Sequence, residues 1–360
     1  MITRRKFLQH SSLATAASLI PWVCKGSAPK KKIGVALVGL GYYSRDLLAP
    51  ALQKTQHCEL RGVVTGSPEK IPTWQEQYGI PDSNVYSYEN MHTIADNDDI
   101  DVIYIVVPTG LHMKYAVIAA NAGKHVWCEK PMAMNVEECQ KIIDACTQNK
   151  VKLSIGYRML HEPNTQKVIE YAASRPYGEM QNLTIHSGYK GGGGSGWRFE
   201  RAMGGGALYD MGVYAVNASR YATGMMPVSV TAEHIIHRPD LFKEVDETTA
   251  FKVYFDNGLV ADCRTSVGES INQLQVNCQK GWYNLTPLQS YYGVTGTTSD
   301  GQTWPAIDGM QQTLQMDNDA LAIINDTPVM APGIEGLKDI RIIEAILQSA
   351  ASDGAQVSIV

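Results

Sequence analysis

From Lys32 onward, short apolar runs alternate with stretches whose apolar residues recur every three or four positions. The runs are Ile33 to Val38, Leu60 to Val64, Val102 to Val107, His125 to Cys128 and Leu153 to Gly156. Helical spacing fills Ser44 to Gln56, Leu111 to Ala122 and Val136 to Gln148 between them. Strands this apolar are covered on both faces, which predicts a parallel, doubly wound sheet. After about residue 160 the pattern changes. A helix over Pro163 to Ala173 leads to a strand over Met180 to His186, a glycine run from Gly191 to Gly196 and a helix over Ala207 to Tyr221. Alternating strands follow at Val228 to His237, Thr248 to Phe255, Leu259 to Ser266, Gln273 to Cys278 and Trp282 to Leu285, then helices at Gln312 to Asn325 and Leu337 to Ala350. Alternation leaves one face to solvent, so this half is expected to hold a mixed or antiparallel sheet.

Composition narrows the classes. A chain of 360 residues implies two domains, and 44% hydrophobic with 19% charged residues excludes disorder and a coiled coil. The net charge is -5, and residues 1 to 30 hold five basic residues and no acid, leaving 26 basic against 36 acidic residues in the body. Such a body lacks the basic face that a nucleic-acid backbone demands. The start, Thr3-Arg4-Arg5-Lys6-Phe7-Leu8 followed by a weakly polar run to Val23, resembles a twin-arginine export signal. Its apolar stretch is too short to span a bilayer and contains Pro21, so residues 1–30 are read as export signal and linker, and the mature protein as periplasmic. No later stretch is apolar enough to span a membrane. The seven cysteines form no Cys-x-x-Cys pair and have no histidine companions, so no metal is expected and buried, unpaired thiols are.

Gly39-Leu40-Gly41-Tyr42-Tyr43-Ser44 follows the first strand at once and opens a helix. The first glycine permits a tight turn and the second lets backbone approach a pyrophosphate at the helix N-terminus, while Ser44 departs from the usual third glycine. This predicts an α/β chain with an N-terminal Rossmann dinucleotide-binding domain over 31–156. An α+β domain over 157–360 with a large, open, mostly antiparallel sheet would carry substrate. The second strand ends Val64-Thr65-Gly66-Ser67-Pro68-Glu69-Lys70, with no carboxylate at its tip for a ribose 2′-hydroxyl. Ser67 and Lys70 suit a 2′-phosphate better, which favours NADP and leaves NAD open. The later strand tips add Pro108, Thr109 and His112, then Glu129 and Lys130, then Arg158. Arg158 on one side and Trp197-Arg198 on the other are expected to contact cofactor or sugar, because a guanidinium bonds hydroxyls and phosphate and an indole stacks on sugar faces. His161 and Tyr291-Tyr292 are weaker candidates for the same cleft.

Glu129-Lys130-Pro131, Gly156-Tyr157-Arg158, Trp197-Arg198, Gly204-Gly205-Gly206 and Asp210-Met211-Gly212-Val213-Tyr214, taken in order with the fingerprint, resemble the glucose-fructose oxidoreductase, inositol dehydrogenase and rhizopine-catabolism family, nearest its sugar oxidoreductase branch. The resemblance covers nearly the whole chain. It implies a nicotinamide-dependent oxidoreductase of saccharides that forms homo-oligomers, dimers or tetramers, and it places Lys130 beside the nicotinamide and an acid and base at Asp210 and Tyr214. The residue chemistry agrees. Oxidising an alcohol requires a base, and a tyrosine with a reference pKa of about 10 needs a nearby lysine cation to serve. Asp210 and Tyr214 stand four apart and share a helix face. Tyr214 is thus expected as general acid/base, Lys130 as its electrostatic partner and Asp210 as the group orienting substrate. Export adds that the cofactor stays bound and is regenerated by a second sugar. A glycoside hydrolase using NAD transiently, and a non-catalytic saccharide-binding module, are the alternative readings.

Overall fold

The computed structural model describes residues 32–191 and 196–359; the expected export signal and the centre of the glycine run lie outside them. Six parallel strands, β1 (Ile33–Val38), β2 (Cys58–Val64), β3 (Val85–Tyr86), β4 (Val102–Ile105), β5 (His125–Cys128) and β6 (Leu153–Ile155), form one sheet in the order 3-2-1-4-5-6. Along β1, Val35 and Leu37 join one buried cluster and Ala36 and Val38 the other, so the strand is apolar throughout because both its faces are covered. The order reverses between β1 and β4, and the crevice beyond the carboxyl ends there is where such sheets bind ligands.

The helices are α1 (Ala49–Leu52), α2 (Ile71–Tyr78), α3 (His112–Asn121), α4 (Val136–Gln148), α5 (Pro163–Ser174), α6 (Val213–Tyr221), α7 (Gln311–Ile324) and α8 (Gly333–Ala350). The first helix was expected to reach Gln56 and stops at Leu52. There the Thr55 hydroxyl bonds the carbonyls of both Leu52 and Cys58 at 2.7 Å and turns the chain into β2. Helix α2 and the two-residue β3 were not anticipated, since Gly66 to Asn84 is too polar to show either period.

A second sheet has nine strands: β7 (Met180–Gly188), β8 (Ser229–Ile235), β9 (Thr248–Tyr254), β10 (Val260–Ser266), β11 (Asn272–Cys278), β12 (Gly281–Leu285), β13 (Gly296–Thr298), β14 (Thr303–Trp304) and β15 (Val357–Ser358). Their order is 14-13-12-11-7-10-9-8-15, antiparallel except between β7 and β10. Leu183, Ile185, Phe251, Val253, Cys263, Leu274 and Val276 are buried, whereas the alternate Lys252 and Asp262 are exposed, as the alternation requires.

One helix from the second half of the chain packs on the first sheet. Helix α7 returns to the first sheet, where Met310, Met316 and Ala320 join Val35, Leu37 and Leu48 in one cluster. The Asp317 carboxylate accepts the Gln56 and His57 amides at 2.8 to 3.0 Å, fixing that return. Cys58, Cys128, Cys139, Cys146, Cys263 and Cys278 are buried free thiols. Among the described residues no helix is long and apolar enough to cross a membrane.

Candidate active site

The turn after β1 places Gly39 at φ +94°, and a Cβ there would lie 2.9 Å from the Val106 carbonyl oxygen, so only glycine fits. The departure at Ser44 has a local reason: its buried hydroxyl donates to the Gly39 carbonyl at 2.5 Å and ties the turn to the helix it opens. Around this turn runs a cleft of about 500 Å³. It is lined by Gly39, Gly41, Tyr42, Tyr43, Ser67, Lys70, Pro108, Thr109, His112, Glu129, Lys130, Trp197, Arg198, Asp210, Tyr214 and Tyr291, all expected, and by Leu40, Thr65, Gly66, Tyr88, Val106 and Val107. Nothing lies within 4 Å of where a Gly41 Cβ would sit, so backbone faces open space. At the far end Lys70 Nζ donates to the Leu40 carbonyl at 3.2 Å, bracing the β2 tip against the glycine turn.

At the other end two segments far apart in sequence meet. Lys130, just past β5, donates from Nζ to the Asp210 carbonyl at 2.7 Å, lies 3.8 Å from Asp210 Oδ1 and stands 4.6 Å from the centre of the Tyr214 ring. The helix that presents Asp210 and Tyr214 begins with a π turn over Leu208–Gly212 instead of the regular helix expected, a widening common at functional sites. Its start is held by Asp246, whose Oδ2 accepts the Leu208 amide at 2.8 Å, and by Gly206, which at φ +99° makes the entry turn. Asp210 Oδ2 accepts from Arg198 Nε and from the Tyr189 hydroxyl, each at 3.0 Å. Burial alone would raise the Asp210 pKa, but the Lys130 and Arg198 cations and these bonds outweigh it and hold the carboxyl below its ordinary value. Asp210 is an ionised clamp between two cations, with less freedom to orient a ligand than its spacing implied. Glu129, 7% exposed, has its pKa raised by burial and accepts the Tyr104 hydroxyl at 2.7 Å.

Arg158 is the main departure from expectation. It is 1% exposed and does not line the cleft, because protein groups on the second half of the chain engage its guanidinium. His112 reaches the cleft edge, yet its ring nitrogens face the carbonyls of Pro131 at 2.9 Å and Val107 at 2.8 Å, so it ties two strand tips together. Burial pushes its pKa down. His161 sits outside the cleft against Asn318 at 3.1 Å. Of the two tyrosines, Tyr291 lines the site and packs 5.9 Å from the Tyr43 ring, while Tyr292 is 58% exposed and does not line it. Sequence reasoning missed Tyr88, Tyr189 and the buried face of α7, where Gln311 reaches Arg158, Gln312 reaches Tyr43 and Gln315 reaches Tyr104. Helical spacing of the glutamines at 311, 312 and 315 was the one signal for that face, and the polar residues beside them in the helix, Thr313, Asp317, Asn318 and Asp319, obscure it.

Residues 33–157 match the model of an oxidoreductase family with an NAD-binding Rossmann fold, and residues 165–284 match that family's C-terminal domain. The chain belongs to the GFO/IDH/MocA oxidoreductase family. Among solved structures of that kind, the aldose-aldose oxidoreductase of Caulobacter crescentus, complexed with glycerol, is 36% identical, with a TM-score of 0.87 over 91% of this chain and 99% of that one. The D-xylose 1-dehydrogenase [NADP(+)] of Haloarcula marismortui is 25% identical over 91% of this chain and 93% of its own length. The scyllo-inositol dehydrogenase of Lactobacillus casei, solved with NAD(H) and scyllo-inositol, shares the fold at 20% identity and a TM-score of 0.76. This GFO/IDH/MocA member is an NAD(P)-dependent oxidoreductase. Its cleft fits the dinucleotide: backbone at Gly41 opens onto the space at a helix start, and among the described residues the acids lining it are Glu129 and Asp210, neither of which belongs to the Ser67–Lys70 tip.

Proposed function

We propose that this chain is a periplasmic, NADP-dependent sugar oxidoreductase that keeps its cofactor tightly bound, oxidising one aldose or related saccharide and reducing another in alternation. The observation that carries the reading is the meeting of Lys130, just past β5, and Tyr214, on α6, with Lys130 Nζ 4.6 Å from the ring centre at the end of the cleft. The likeness to an aldose-aldose oxidoreductase supports an exchange between two sugars, and the Arg4-Arg5 start supports export. The open face of the second sheet supports association of copies into a dimer or tetramer.

Bound nicotinamide supplies a ring that accepts or returns two electrons with the carbon-bound hydrogen. The protein's residues manage the proton and the geometry. Tyr214 cycles between phenolate and phenol: the phenolate takes the proton from the sugar hydroxyl oxygen during oxidation, and the phenol gives it back during reduction. Lys130 donates to that same oxygen and stabilises the charge developing there, and Asp210 holds the lysine in place through its carbonyl and carboxylate. Trp197 offers a flat apolar face to the pyranose ring, with the Arg198 guanidinium stacked 4.6 Å from its centre. At the other end Ser67 and Lys70 would hold a 2′-phosphate.

The test is the near-ultraviolet spectrum of protein purified without added cofactor, followed by mass spectrometry of what denaturation releases. Nicotinamide absorbance that rises with one sugar and falls with another is expected, with NADP in the released fraction. Protein that carries no nicotinamide and answers to no sugar would overturn the proposal. Release of free sugar from a nitrophenyl glycoside without net redox change would replace it by the hydrolase.

A further inference from the structure

Arg158 sits at the end of β6 with its guanidinium entirely inside the protein. Nη1 donates to the Ser290 carbonyl at 3.1 Å and to Gln311 Oε1, and contacts Met159 Sδ at 3.0 Å. Nη2 donates to the Gln289 carbonyl and, at 3.3 Å, to the hydroxyl oxygen of Tyr214. The guanidinium also stacks 4.7 Å from the Tyr291 ring centre and 5.2 Å from that of Tyr214. Every one of these partners is neutral. Among the described residues no carboxylate lies within ion-pair distance, and the buried Glu129 and Glu162 carboxyls feel its charge only from farther off.

We propose that Arg158 is a positioning residue for the reaction, aligning the Tyr214 hydroxyl and standing as the counter-charge for negative charge that appears on its oxygen during turnover. This rests on Tyr214 being the acid/base. The geometry points to the role in two ways. A guanidinium has no acceptor, so at this contact Tyr214 can only accept. One lone pair of the oxygen is thereby fixed from behind, and the hydroxyl proton is left to point toward the cleft that Tyr214 lines. Second, a buried cation with no direct ion pair is costly at rest and gains an adjacent partner when the phenol gives up its proton. Charge arranged before the reaction in a water-poor site stabilises the charged state without reorganisation. Lys130 lies over the ring on one side and Arg158 approaches the oxygen from the protein interior, so the phenol stands between two cations.

A competing role is purely structural, since Arg158 also clips the Gln289–Tyr291 segment that brings Tyr291 to the cleft. A double-mutant cycle separates the two. R158M, Y214F and the double variant are compared by kcat and KM with a saturating aldose, with bound cofactor and Tm recorded for each. Expected is a fall in kcat of about tenfold or more for R158M, with KM and cofactor content little changed, and a change under about twofold when R158M is added to Y214F. R158K gives the same comparison if R158M does not fold, because an ammonium keeps the charge but cannot fork to Tyr214 and Gln289 together. Equal losses in both backgrounds, or an unchanged kcat in R158M, would overturn the role of Arg158 and leave the acid/base reading standing. Undiminished turnover in Y214F would overturn the acid/base reading itself.

Discussion

The two ends of the cleft are built on different principles. At the Lys130 end the candidate catalytic groups are already engaged: lysine on Asp210, Asp210 on Arg198 and Tyr189, Tyr214 on Arg158, Glu129 on Tyr104. The contributing segments lie 80 residues apart in the chain for Lys130 and Asp210, and 131 or more for Arg158 and the loop behind it. At the Ser67 end the wall includes one strand tip, Thr65 to Lys70, whose internal ties are the Ser67 amide on Thr65 Oγ1 at 3.0 Å and the Lys70 amide on the Ser67 carbonyl at 3.1 Å. Where bonds must change during turnover, groups are preset by tertiary contacts, since reorganising them in the reaction would raise the barrier. Where a cofactor is only gripped, a local loop suffices.

If that contrast holds, damage at the preset end costs turnover and damage at the local end redirects binding. The largest effect is expected from K130M, with kcat falling by about a hundredfold or more while cofactor absorbance at purification is retained. Loss of bound cofactor with normal turnover on its re-addition would break the comparison. Next, S67D combined with K70E should move cofactor preference from NADP toward NAD by roughly tenfold to a hundredfold in dissociation constants, with kcat changed little. An unchanged preference would put 2′-recognition elsewhere.

The stiffness of the Lys130 end rests on α7, whose buried face carries Gln311, Gln312, Gln315 and Asp319. Burial lifts the Asp319 pKa to about 7, against a slight offset from the Ser154 hydroxyl. Since the folded state holds this proton up to about pH 7 and the unfolded chain releases it near the ordinary carboxylate value, stability falls as pH rises between those values and stays lowered above. D319N, which cannot ionise, should therefore raise Tm by several degrees at pH 8 and leave it unchanged at pH 4, read by calorimetry at fixed cofactor content. An equal shift at both pH values would mean that packing, not charge, sets the effect. The smallest effect is expected at Tyr292, which is 58% exposed: Y292A should change kcat and KM by less than about twofold. A larger loss would show that the site extends past Tyr291.

Strands β1, β4 and β5 and the second half of β2 were readable because they carry apolar residues at consecutive positions, whereas the two-residue β3 was not. Helices Val136–Gln148 and Pro163–Ser174 were readable because their 3.6-residue period is clean. The glycine turn and Lys130 were legible because backbone chemistry near a phosphate and a lysine on a strand tip are local signals. Arg158 was misplaced for the opposite reason. Its residue type and strand-tip position promise a ligand contact, and only Gln289, Ser290 and Gln311, brought there by a second-sheet loop and a returning helix, show that the side chain turns inward.

By itself the chain of residues determined the two kinds of sheet, the dinucleotide turn and the list of chemically able side chains, since periodicity and local backbone demands act over a few positions. Tertiary structure decided which of those side chains face the cleft, which brace it from behind and which helix crosses between the halves. Those choices depend on burying polar groups against partners more than a hundred residues away, and no local pattern records where such partners will come to rest.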